Sequence, residues 1–192
     1  MEAGKPVSEA AVVQCTRRAQ TKHTEGTLMS HVTVIALTTS DLTHVGPNTP
    51  RTRQDWNQIA HITAQAASAG VQTICVVCPD TDLSQAELPS ACHILNSPKT
   101  PSWIERGIAR AVEVTPQSSG WLILAAQAPS PPDNIWQMMI SAIGAGQPTA
   151  VPSKDSRETA IGLSSEFYSE LIKLDRSGDL KRLICRYPVH IV

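Results

Sequence analysis

Several groups of residues in this chain have types and spacings suited to chemistry. Gln127 follows an unbroken apolar run, Gly120-Trp121-Leu122-Ile123-Leu124-Ala125-Ala126, that Pro129 stops. Such a run reads as a buried central strand, and in open α/β sheets ligands gather where these strands end. The side chain at that point is an amide, not a carboxylate. Thr38-Thr39-Ser40-Asp41 offers hydroxyls and backbone amides that suit a phosphate, and it is equally the composition of an ordinary strand-to-loop turn. Arg51 and Arg53 are the cations nearest to that stretch, either phosphate contacts or a solvated edge.

Cys75-Val76-Val77-Cys78 has the spacing of a metal or redox pair. On a strand, however, residues three apart point to opposite faces, so the two read as core thiols. The histidines form no spaced ligand pair; His44 alone falls beside the Thr38–Asp41 stretch, where it reads as a solvated loop residue. Trp56 and Trp103 begin helices near the presumed ligand face and read as packing residues, and Met138-Met139 reads as core filler.

Composition narrows the class of protein. With 41% hydrophobic and 17% charged residues the chain is globular, and 192 residues suffice for one domain with a real core. A formal net charge of -1 and 4% aromatic residues argue against a nucleic-acid partner. No apolar run is long enough for a bilayer, and the start of the chain lacks the core of a secretory signal, so the expected location is the cytoplasm and no membrane partner is expected. The five cysteines are odd in number and sit mostly in apolar contexts, which suits buried free thiols.

The elements that must position these residues alternate. Residues 1–29 are polar and read as a flexible tail, and Met29 is a candidate translation start; residues 30–192 read as a single domain. Strands are predicted over 32–37, 71–77, 92–95, 121–126, 149–151, 159–163 and 188–192. Helices are predicted over 54–69 (Trp56, Ile59, Ile62 and Ala66 inward), from Thr100-Pro101 (Ile104, Ile108, Ala111, Val112) and from Ser130 (Ile135, Met139, Ala142, Ile143). Two more open at Ser164 (Phe167, Leu171, Ile172) and at Gly178-Asp179 (Leu180, Leu183, Ile184). This pattern predicts a doubly wound α/β domain, a mostly parallel sheet with helices on both faces.

The order and wording of the segments resemble the MobA-like NTP transferase family, in particular its molybdenum cofactor cytidylyl- and guanylyltransferase branch. Gly120 to Pro129 is similar to that family's "GW-apolar-LADMP" strand and loop, and Arg157 to Leu163 stands where it has "RGHPVGF". Asp175 to Arg182 is similar to "GDxGLR", and Asn96 to Val112 to "NPxxxxGxxxSLxAGL", with Ser102 and Gly107 at matching places. The resemblance covers about Val32 to Val192. It implies a Rossmann-like fold, NMP transfer from CTP or GTP to a phosphorylated acceptor, and Mg²⁺ as cofactor.

It also implies a nucleotide site over Ala36, Leu37, Thr38 and Thr39, with Arg51, Asn96 and Ser102 beside it. Three departures accompany it. The "LAAGxGxRMG" loop and its lysine are replaced by Ala36 to Gly46 without most of the glycines, Gln127 occupies the metal carboxylate position, and the chain ends at Val192 before the family's acidic closing segment. The resemblance with these departures implies an impaired transferase with no metal ligands assigned. The alternative is a non-catalytic protein that binds a nucleotide or molybdopterin-like ligand, or assists a molybdoenzyme maturation partner. A Rossmann dinucleotide binder is disfavoured, since no G-x-G-x-x-G follows the first strand.

Overall fold

Branched apolar residues dominate the segments that pair. The computed structural model describes residues 31–39, 53–77, 88, 90, 92–126, 132–153 and 159–192. In it β1 (Val32–Leu37) and β4 (Gly120–Ala125) are buried along their whole length. They are the central strands of a six-stranded sheet completed by β2 (Gln72–Val77), β3 (Cys92–Asn96), β5 (Thr149–Ala150) and β6 (Ala160–Ser164). The order is β3-β2-β1-β4-β6-β5. β1, β2, β3 and β4 are parallel, whereas β6 runs antiparallel to both β4 and β5.

Side-chain alternation along the strands feeds two cores. On one face Ile35, Leu37, Ile74, Val76, Trp121 and Ile123 pack under α2 (Trp103–Glu113) and α5 (Asp179–Arg186). On the other, Val34, Ala36, Cys75, Leu122 and Leu124 pack under α1 (Arg53–Ser68) and α3 (Asp133–Gly144). Each fully buried Leu or Ile contributes about 1.5–3 kcal/mol, so the two layers together hold the sheet between the helices. Helices on both faces of a mostly parallel sheet are the doubly wound arrangement the sequence predicts.

The predicted inward faces are buried where expected on α1, α2 and α5, and α3 adds Trp136 to its own. Gly120 is required by close approach, because a Cβ there would lie 2.3 Å from Ile143 Cγ2 and 2.6 Å from the Leu163 carbonyl oxygen. Gly178 stands at φ 85° before α5, a left-handed position glycine takes without strain.

Several expectations are corrected. Thr100 does not cap α2: Ser102 precedes Trp103, without a side-chain cap bond, because residues 98–103 form turns in which Thr100 N–H donates to Pro98 O and Trp103 N–H to Thr100 O. The helix expected after Ser164 is split into a 3₁₀ turn (Ser165–Phe167) and the short α4 (Tyr168–Leu171), and the Ser164 hydroxyl is buried without a partner. Residues 188–192 are not a strand. They make one parallel bridge, Val151 to Ile191, since β5 has only two residues and Pro188 has no N–H to give. Met138 is 46% exposed although Met139 is buried. Cys75, Cys92 and Cys185 are free thiols, but Cys185 is exposed. Residues 1–30, Ser130, Cys78 and His44 lie outside the described residues. Among the described residues no helix is long and apolar enough to cross a membrane.

Candidate functional site

Register decides what meets at the carboxyl ends of the strands. Leu95, Val76, Leu37 and Ala125 form one row across β3, β2, β1 and β4. The next row outward begins with Asn96 paired to Val77 and continues with Thr38 and Ala126. Backbone bonds fix that row: Thr38 N–H donates to Val76 O at 3.0 Å and Ala126 N–H to Leu37 O at 2.8 Å. The chain turns at once after β1, because Thr39 N–H also donates to Leu37 O at 2.7 Å.

Of the sequence-predicted residues, those described are brought toward one edge, but not into one cluster. Ala36 and Leu37 are core residues, and Thr38 and Thr39 are buried as well. What these four offer a ligand is mainly backbone, and the Leu37 carbonyl already accepts two bonds. Asn96 is exposed at the end of β3, three interstrand spacings, about 14 Å, from the β4 end. Ser102 is buried in front of α2 with its hydroxyl 3.5 Å from that of Thr100. Neighbouring Ser97 ties the end of β3 to α2, donating to the Trp103 carbonyl at 2.5 Å. Trp103 itself is a packing residue. Gln127 and Arg51 lie outside the described residues, one following Ala126 and the other preceding α1.

A second cluster went unnoticed in the sequence. Glu105, in the first turn of α2, is 3% exposed, and its Oε1 accepts the Gly178 N–H at 2.6 Å. Its Oε2 is buried without a partner, and burial pushes the carboxyl up from 4.5. Around it Arg106 pairs with Asp175 at 2.8 Å. Asp179 accepts from Arg176 N–H at 2.8 Å and from Arg182, bonds that hold its carboxyl below the usual range. One sequence signal was available: an acid between Ile104 and Gly107-Ile108 on an inward stripe.

A magnesium triphosphate needs charged oxygens around the ion and donors around the phosphates. The described residues at the sheet edge supply hydroxyls, one amide and backbone groups. The Glu105 carboxylate is enclosed and engaged with Gly178. Among the described residues no three His, Cys, Asp or Glu come together in a metal-holding group. These residues do not fit the ion.

A model of the MobA-like NTP transferase domain matches residues 53–191. The chain belongs to this family. No curated protein sequence matches it. Among solved structures this MobA-like chain is similar to Rv0371c from Mycobacterium tuberculosis H37Rv, at 15% identity and TM-score 0.59, over 85% of this chain and 87% of the other. It is also similar to 4-diphosphocytidyl-2C-methyl-D-erythritol synthase from Anaerococcus prevotii DSM 20548, at 11% identity and TM-score 0.54, over 85% and 86% of the two chains. At these identities the likeness is one of fold. The family is one of nucleotidyltransferases, and the sheet described above is the Rossmann-like sheet of such proteins.

Proposed function

We propose that this MobA-like chain is related to the molybdenum cofactor cytidylyl- and guanylyltransferases and that its NMP transfer from CTP or GTP is impaired. One observation carries the reading: the residue after Ala126, where the sheet register brings β4 beside Thr38, is Gln127. A neutral amide oxygen there is a far weaker ligand for Mg²⁺ than a carboxylate. The loss matters because phosphoryl and nucleotidyl transfer rest on positioning and charge stabilisation rather than on covalent help from the protein. Structures of Rv0371c include a complex with manganese, which supports asking the metal question of this chain directly. The family's lysine is missing too: no lysine lies between Lys22 and Lys99, and Arg51 and Arg53 are the remaining cations beside the presumed phosphate loop.

A second reading is favoured by the intact core beneath this altered edge. The chain keeps the fold to hold a nucleotide or pterin-like ligand, or to serve a molybdoenzyme maturation partner, without catalysing transfer. Thermal-shift titration with CTP and GTP, with and without Mg²⁺, tests both. Stabilisation by nucleotide that Mg²⁺ does not increase is the expected result, and Gln127→Asp should introduce a Mg²⁺ dependence. Strong Mg²⁺-dependent stabilisation of the unaltered chain would contradict the impaired reading; no stabilisation by either nucleotide would leave the scaffold role.

A further inference from the structure

Away from the sheet edge, two thiols and two hydroxyls meet between α1 and the β2–β3 border. Thr73 and Cys92 are register partners, and Cys75 is the partner of Ile94. Partners in a parallel pair share a face, so Thr73, Cys75 and Cys92 all point to the side that α1 covers, where Cys75 and Cys92 join the same core. Thr63 reaches the group from α1 and touches Cys92.

The four groups differ in access and in bonding. Cys75 is fully buried, whereas Cys92 is partly exposed. Thr73 is 1% exposed, and its hydroxyl has no hydrogen-bond partner. The Thr63 hydroxyl proton is committed to the Ile59 carbonyl at 2.8 Å. Cys75 is therefore the donor that matters to Cys92. Its hydrogen bond lowers the Cys92 thiol to about 7, while Cys75 itself is pushed up and keeps its proton. A partly exposed thiol that ionises near neutrality is the reactive kind.

We propose that Cys92 is a site of oxidative modification, at which a hydroperoxide forms a sulfenic acid that the unpartnered Thr73 hydroxyl stabilises. The Cys92 thiolate sulfur attacks the outer peroxide oxygen, and the O–O bond breaks. Sulfur is oxidised by two electrons, the peroxide is reduced, and the departing alkoxide or hydroxide takes up a proton from water. The new S–O oxygen accepts a hydrogen bond from Thr73 Oγ1, which faces it across the strand pair.

The register also says where the oxidation stops. Cys75 and Cys92 are diagonal neighbours in a parallel pair, two residues apart along the strands and one strand spacing across, which puts their Cα atoms about 8 Å apart. A disulfide closes without backbone movement only up to about 7 Å. The sulfenic acid thus persists instead of being captured by Cys75.

The test treats the full chain with a few equivalents of hydrogen peroxide and a dimedone-type probe, following all five cysteines by peptide mass spectrometry. The first adduct is expected on Cys92, ahead of the more exposed Cys185. Cys75→Ala should slow that adduct by roughly tenfold, since the thiolate loses its donor. Should that buried change unfold the chain, the near-isosteric Thr73→Val carries the test: the adduct at Cys92 should fall several-fold when the probe is added after the peroxide is removed. A first adduct on any other cysteine, a Cys75–Cys92 disulfide, or an unchanged yield in folded Thr73→Val would overturn the proposal.

Discussion

At the scale of single residues, Glu105 is the group with most at stake. Its buried carboxylate holds the amide of a left-handed glycine, so it fastens α2 to the start of α5. Glu105→Ala removes the acceptor and leaves the Gly178 N–H unpaired, at a cost of about 1–3 kcal/mol. Measurement of Cm in urea checks this. Glu105→Gln keeps an acceptor and removes the charge. Because burial raises the folded carboxyl above 4.5, the wild-type carboxyl binds more protons folded than unfolded. Its contribution is complete below the unfolded value and is lost as pH rises through the folded one. The Tm of Glu105→Gln relative to wild type should therefore climb from pH 4 to pH 8; a flat or falling difference contradicts the assignment. Gln127 was legible at this scale because strand and stop signals flank it. Glu105 was not, because its partner is 73 positions away and nothing local marks a long-range amide contact.

At the scale of elements, the strands and most helix faces could be read from periodicity and punctuation, and the misses share a cause. The Thr100-Pro101 cap, the Ser164 cap and the final strand were each inferred from local residue preference, whereas the bonds that form are set by the surrounding chain. Ser165 N–H goes to Ser119 O, and Val151 N–H to His190 O, arrangements set by neighbouring strands. The antiparallel direction of β6 likewise depends on a topology that short apolar runs do not encode. Two glycines separate the two reasons for glycine. Gly178→Ala meets only Arg182 Nη1 at 3.7 Å, so its cost is conformational, about 1 kcal/mol. Gly120→Ala drives a methyl into the Leu163 backbone and Ile143, an overpacking that costs about 3 kcal/mol or more. Urea melts should rank Gly120→Ala well below Gly178→Ala; the reverse order would mean the β4–β6 contact yields easily.

At the scale of the whole molecule, a complete doubly wound core underlies an edge whose described residues carry hydroxyls and an amide where a magnesium nucleotide calls for charge. Substitutions at Asn96 should leave Tm within a degree or two, because its side chain is exposed at the end of β3. The central claim, an impaired transferase, is tested most directly by pyrophosphate release from CTP and GTP with Mg²⁺ and a phosphorylated pterin acceptor. Turnover is expected at least about a hundred-fold below the ordinary range of 1–1,000 per second; pyrophosphate release within that range would mean that transfer is intact.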